Sequence, residues 1–483
     1  MKSGTNSGGE LLLTLDRRAP SPLRAQLEDG LRDAVRSGRL PPHSRLPASR
    51  ALAGDLGVSR RLVVDAYAQL LAEGYLSARG GAGTYVAGAA GAAAEPEPEP
   101  EPVQLTFDFF PGHPDLSLFP RRRWLRALRE TLREMPDRSL GYPDPRGALA
   151  LRRSLAEHLR RVRGVVADPE SILICAGAAQ AFALLAQTLG GRGRMAVEDP
   201  GLPVHRTILA ENGAELVAVE VDELGLRVEE LGPLQEQGGA IAAVLVTPAH
   251  QSPTGVALAP ERRARLLAWA AEAGGYVIED DYDAEFRYDR APLGALQGLV
   301  PERVIYTGTV SKTLAPALRV GWLVLPPALT EEITRRKLLA DHGSATIEQL
   351  ALARVLDSGA YDSHLRAARR RYRARRDALV QALARHLPAA RVEGVAAGLH
   401  AIARLPQPVP GLEVMRAAAT RSVGVYPVGY GYLDVRPLDD RFVLGYANLA
   451  EPAIDEGIRR FAEALEEVAR GPAPANSGGA IAR

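Results

Sequence analysis

Residues Tyr306 to Trp322 read YTGTVSKTLAPALRVGW, and the reading of this chain turns on Lys312 within them. The sequence has 59 basic residues, yet lysine occurs only at Lys2, Lys312 and Lys337. All the others are arginine. Arginine cannot do one thing that lysine can, which is to give up a proton and attack a carbonyl carbon as an amine. A lysine in a loop is ordinarily a solvated surface charge, but the neighbours here argue otherwise. Thr309 and Ser311 offer hydroxyls, and Arg319 offers a guanidinium seven residues on. Hydroxyls and a planar cation beside an amine suit a phosphate next to a carbonyl that the amine can capture.

Upstream, short β-branched runs alternate with helical periods. The runs are Ile172 to Cys175, Met195 to Val197, Leu216 to Val221, Ala243 to Val246, Val277 to Glu279 and Val304 to Thr307. This alternation predicts an α/β domain with a mainly parallel sheet and flanking helices. Ligands of such sheets bind beyond the carboxyl ends of the strands, and the informative motifs all fall there. AGAAQAF follows the strand SILIC. Its Gly177 permits a tight turn, and the amides of Ala178 and Ala179 would open a helix toward an anion. IEDDYDAEF places Glu279, Asp280 and Asp281 side by side, which is unfavourable unless a cation joins them. A protonated pyridine nitrogen would serve. TPAHQSPTG and EDPGLPVHR close two further strands, and LGYPDPRG precedes the first. His205 and Arg206, in the second of these, have no assigned role and are expected at the surface.

Together these stretches resemble the fold type I aminotransferases, which use pyridoxal 5'-phosphate (PLP). The resemblance implies that Lys312 is the catalytic Schiff-base lysine and that Ala178, Ala179, Thr309, Ser311 and Arg319 hold the phosphate. It implies Asp280 as partner of the pyridine nitrogen, and Tyr282 with His250 and Gln251 around the ring 3-oxygen. Tyr142 matches the tyrosine that reaches the phosphate of the neighbouring subunit, so a homodimer is expected, with or without exchange of domains. The sequence departs from the enzymes at two places. Leu202 stands where an aromatic usually follows Pro-Gly. In RFVLGYANL, Val443 stands where the arginine that clamps the substrate carboxylate is usual, and Arg441 lies two residues earlier on the same strand face, about 7 Å away.

The N-terminal part carries a different pattern. Leu23, Leu27, Leu31 and Val35 recur every four residues, predicting a helix over 21–37. A second helix follows over about 49–56, ended by Gly57, and Ser59 can cap a third. Leu62, Val63, Ala66, Tyr67, Leu70 and Leu71 form one face of that third helix. Gly80, Gly81 and Gly83 then punctuate a hairpin. Between Pro20 and Val86 nine arginines oppose six acids. The run RLPASRALAGDLGVSRRLVVDAYAQLLAEGYL resembles the winged helix-turn-helix of GntR regulators. In such folds the start of the second helix of the pair meets base edges and nearby cations hold phosphates. That places Ser59, Arg60 and Arg61 in the major groove of an operator, Arg45, Ser49 and Arg50 on the backbone, and Arg79 on the wing. With the aminotransferase-like part, the chain resembles the MocR/GabR-type branch of that family.

The expected organisation is an arm (1–19), a winged helix (20–86), an Ala/Glu-Pro spacer (87–102), an aminotransferase-like domain (103–470) and a tail (471–483). The alternating Glu-Pro run favours an extended, semi-rigid spacer. The net charge of +1 means that DNA affinity must come from the local patch. One cysteine, Cys175, excludes an intrachain disulfide and fits the cytosol. No apolar run is long enough to span a membrane, and no metal-ligand pattern is read. The expected function is a DNA-binding, PLP-binding transcription regulator that senses PLP itself or an amine that joins it. The alternative is a working aminotransferase with an accessory DNA-binding module.

Overall fold

The computed structural model describes residues 13–79, 83–88, 105–288 and 293–470. Most of the expected arm (1–12), most of the spacer (89–102), the tail (471–483), Gly80, Gly81 and the Arg79 side chain lie outside the described residues. The chain divides into two compact units, residues 1–103 and 104–483.

The first unit contains α1 (Leu23–Arg36), α2 (Ser49–Asp55) and α3 (Arg60–Ala72), followed by an antiparallel hairpin of β1 (Leu76–Arg79) and β2 (Gly83–Val86). The fourfold leucine repeat works as expected. Leu27, Leu31 and Val35 are buried against Leu52, Val63, Ala66, Tyr67 and Leu70. Tyr67 Oη donates to the Pro47 carbonyl at 3.0 Å, tying α3 to the turn before α2. Ser59 Oγ accepts from the Leu62 amide at 3.3 Å and caps α3. Losing a cap of this kind typically costs about 0.5–2 kcal/mol. Ser59→Ala is therefore expected to lower the melting temperature of the first unit, whereas Ser59→Asp should keep it. Calorimetry on both variants checks this, and an unchanged transition for Ser59→Ala would show that the cap carries no stability.

The second unit is built on one large sheet. After the short β3 (Phe107–Asp108), which pairs in parallel with Val423–Gly424 outside this sheet, its strands are β4 (Ile172–Cys175), β5 (Arg194–Asp199), β6 (Leu216–Asp222), β7 (Gly225–Leu226), β8 (Ile241–Val246), β9 (Tyr276–Asp281), β10 (Val304–Thr309) and β11 (Gly321–Val324). Their order is β4-β11-β10-β9-β8-β5-β6-β7. The five strands from β10 to β6 are parallel, and β7 and β11 are antiparallel to their neighbours. All six residues of β8 and of β9 are buried, as expected for a sheet covered on both faces. β11, which the sequence reading did not separate from the lysine stretch, runs antiparallel between β4 and β10. Two reversals leave β4 pointing the same way as β10. The carboxyl ends of β4, β5, β8, β9 and β10 thus converge on one edge.

A smaller antiparallel sheet follows, with Arg391–Glu393, His400–Pro410, Leu438–Gly445 and Tyr426–Pro427 in that order across it. Val443 lies in its third strand, paired with Ile402 on one side and Tyr426 on the other.

Candidate functional site

Beyond the convergent strand ends lies a cavity of about 520 Å³. Lys312 enters it from the turn after β10. Burial pushes its amine below the usual lysine range, against the pull of Asp283 and Asp280. Gly112 passes close by in a left-handed conformation (φ +77°), and a side chain there would begin 3.2 Å from Lys312 Nζ. Thr309 Oγ1 donates to Ser311 Oγ at 2.9 Å, and both line the cavity. Arg319 also lines it and donates to the Ala176 carbonyl at 2.6 Å. Gly177, with φ +81°, lets Arg319 approach, since a Cβ there would lie 2.9 Å from the guanidinium. After Gly177 begins the twelve-residue helix Ala178–Leu189, whose first residues Ala178 and Ala179 face the cavity. Free amides and the helix dipole at such an end favour an anion.

The three successive acids separate because side chains alternate along a strand. Glu279 accepts from the amides of Leu296 and Gln297 at 2.9 and 3.0 Å. Asp281 pairs with Arg163 at 2.7 Å and accepts from Tyr306 at 2.6 Å. Asp280 points the other way, into the cavity. Its Oδ1 accepts from Thr307 at 3.0 Å, and its Oδ2 is buried with no hydrogen-bond partner. Burial, with the like charges of Asp281, Asp283 and Glu198, pushes the carboxyl up to about 7, against the hydrogen bond from Thr307. An unpartnered carboxylate oxygen in this position calls for a cationic donor.

His205 is inside, contrary to the surface role expected for it. It lies in the helix Pro203–Glu211, with its ring 4.4 Å from Phe182 and its Nδ1 3.6 Å from Asp280 Oδ2. Burial, with Lys312 nearby, pushes its pKa down to about 3, so it faces Asp280 as a neutral imidazole. Arg206 is also buried, paired with Asp199 at 3.1 Å.

The residues expected around the 3-oxygen divide into two groups. Tyr282 lines the cavity, and its hydroxyl lies 3.1 Å from the His250 carbonyl and 3.2 Å from His250 Nδ1. His250 stands behind it, with Nδ1 3.0 Å from Asp283 Oδ2. His250, Asp283 and His400 each bring a potential ligand atom within 4.8 Å of the others, a grouping that the linear sequence conceals. Gln251 does not line the cavity. Its amide nitrogen donates to Glu198, Pro200 and Ser252 and its oxygen accepts from Thr254, so the side chain is spent in holding the turn. The polar group that this turn presents is Ser252, which the sequence reading passed over. Its signal was its place directly before Pro253. Tyr142 is 92% exposed on the single chain, clear of the cavity. Val443 is buried and lines the cavity. Arg441 turns to Tyr432 Oη at 2.7 Å.

In the first unit, Ser59, Arg60 and Arg61 are exposed at the start of α3, as are Arg45 and Arg50, while Ser49 begins α2 half-buried. Arg24 and Arg32 are instead held by Glu28 and Glu73.

Residues 23–86 match the family of bacterial regulatory proteins, gntR family, and residues 113–461 match aminotransferase class I and II. The chain is 34% identical to the probable rhizopine catabolism regulatory protein MocR of Rhizobium meliloti, over 94% of this chain and 96% of that one. The chain belongs to the MocR/GabR-type branch of the GntR transcription regulators. In this branch a DNA-binding helix-turn-helix is joined to an aminotransferase-like domain. Another relative is the pyridoxine biosynthesis regulator PdxR of Corynebacterium glutamicum, 33% identical over 94% of this chain and 99% of that one. The multiple substrate aminotransferase of Thermococcus profundus superposes with a TM-score of 0.71 at 27% identity, covering 77% of this chain and 93% of that chain. Among the described residues of this regulator, no helix is long and apolar enough to cross a membrane.

Proposed function

We propose that this regulator binds PLP at Lys312 as a homodimer, and that occupancy of the cavity sets its affinity for an operator. The observation that carries the reading is the facing pair in one cavity. A lysine amine with lowered basicity stands there with an aspartate oxygen that has no partner, on a chain whose other unit is a helix-turn-helix. The residues present fit the cofactor. Lys312 would hold its aldehyde carbon and Asp280 its ring nitrogen. The amides of Ala178 and Ala179, with Thr309, Ser311 and Arg319, would hold its phosphate. Tyr282 and Ser252 would meet the 3-oxygen, with His250 and Asp283 fixing Tyr282 from behind. The exposed Tyr142 would complete the site of the partner subunit. When bound, the group supplies an electron-withdrawing ring and an aldehyde that takes up amines. Val443 in place of a carboxylate clamp favours sensing over turnover. The relative named for pyridoxine biosynthesis supports a signal of the same vitamin class.

For occupancy to matter, cofactor and operator must favour the same arrangement of the chain, and each then raises the other's affinity by the same factor. A coupling of about 1–3 kcal/mol corresponds to roughly a 5- to 150-fold change. Operator affinity at fixed salt is expected to differ by such a factor between protein with and without PLP. The variant Lys312→Ala should follow the cofactor-free protein. Identical affinities and footprints in all three would end this reading.

A further inference from the structure

We infer that the effector side of the cavity takes a primary amine with an apolar body and no carboxylate, such as an alkylamine or arylalkylamine. The inference rests on the reading that PLP binds at Lys312. PLP would take the floor of the cavity, between the Ala178 helix end, Asp280 and Lys312. The walls that one chain supplies above that floor include Phe110, Leu202, Val204, Val428, Tyr430 and Val443. Apart from the Tyr430 hydroxyl, their exposed surface is hydrocarbon and aromatic ring. A free carboxylate brought against such walls loses its water and gains no cation and at most one neutral hydroxyl in exchange.

The cations at the cavity are committed elsewhere. Among its described lining residues these are Lys312, Arg319 and Arg206. Arg319 sits at the phosphate end, bonded to the Ala176 carbonyl. Arg206 is neutralised by Asp199, whose Oδ1 also accepts from the Leu433 amide at 2.8 Å. Arg441, one strand repeat from Val443, is tied to Tyr432 and has Asp439 and Asp440 at 3.9 and 3.7 Å. The floor carries acids instead. With Asp280 given to the ring nitrogen, Glu198 still lines the cavity and Asp283 lies just behind. A field of that sign attracts an ammonium head and repels a carboxylate. Shape and charge therefore select the same class, an amine carried by a greasy body.

The test uses the PLP-loaded protein and two probes that differ only by the α-carboxylate, 2-phenylethylamine and L-phenylalanine. Binding is read by calorimetry and by the change in the visible spectrum of the bound cofactor. The amine is expected to bind at least tenfold more tightly than the amino acid. Val443→Arg is expected to reverse the order, and Val204→Arg, at a position 56% exposed and so easily accommodated, should narrow the gap even if the first variant does not fold. Equal or tighter binding of phenylalanine by the wild type overturns the inference, and so does failure of both probes to bind while the cofactor spectrum is intact. If the protein shows no cofactor spectrum at all, the reading of Lys312 falls instead.

Discussion

Lys312→Ala is expected to abolish covalent retention of PLP completely while leaving the fold intact. Protein mixed with the cofactor and treated with borohydride should carry the added mass on the peptide containing residue 312. The alanine variant should carry none and should lack the visible absorption band. The expectation comes from the local environment. Burial lowers the basicity of this amine, although Asp283 and Asp280 pull the other way, so more of it is the neutral nucleophile at a given pH. Lys337 is the control. It is fully buried, bonded to Asp341 and Ser344, and absent from the cavity lining. Lys337→Ala should keep the covalent capture and lose stability, because removing it leaves Asp341 without its buried partner. Retention of covalent cofactor by Lys312→Ala would place the reactive amine elsewhere.

Those two lysines also mark the limit of what the sequence makes legible. Rarity in an arginine-rich chain singles out both equally, and one is structural. What distinguished Lys312 was its company, two hydroxyls and an arginine at a strand end, and the structure brings these together in one cavity. The strands were legible because each is a short, largely apolar run rich in β-branched residues, and most are buried on both faces, β6 with its exposed Glu220 being the exception. β11 was not, because four residues after a turn carry too little pattern. His205 was misjudged for a related reason. The helix Pro203–Glu211 has nine residues, too few for a period to show which side faces in, and its neighbours Phe182 and Asp280 are remote in sequence. Gln251 was misplaced because a motif gives residue types in order but not where their bonds go. All of its polar atoms are consumed within the turn, and Ser252 is left facing the cavity. In the first unit the leucine repeat and the Ser59 cap were readable because both are local.

Asp280→Asn should weaken PLP binding and stabilise the empty protein at the same time. The buried carboxylate Oδ2 has no partner, and a cationic ring nitrogen would provide one. Truncating one partner of a buried charge pair costs about 2–5 kcal/mol, so PLP affinity should fall by at least roughly 30-fold, as titration would show. Stability runs the opposite way. The usual carboxyl value of 3.8 is raised to about 7 in the folded chain. Between those values the folded state holds a proton that the unfolded state has released. Stability is therefore lost as pH rises from about 4 to about 7 and is not recovered above. Glu198 and Glu279, both pushed up to about 7 by burial, act with the same sign. These three carboxyls thus favour the empty fold more at acid than at mildly alkaline pH, while the buried His158, His205 and His400, pushed down to about 4, 3 and 3, act with the opposite sign. Asparagine at 280 removes one of these charges, so the stability of the variant relative to wild type should grow as pH rises through this window, with a gain on the order of 2 kcal/mol above neutrality. Denaturant titrations of the empty protein across that pH range measure the effect. If Asp280→Asn destabilises the empty protein at every pH, the carboxylate is a structural partner rather than a charge held ready for a ligand.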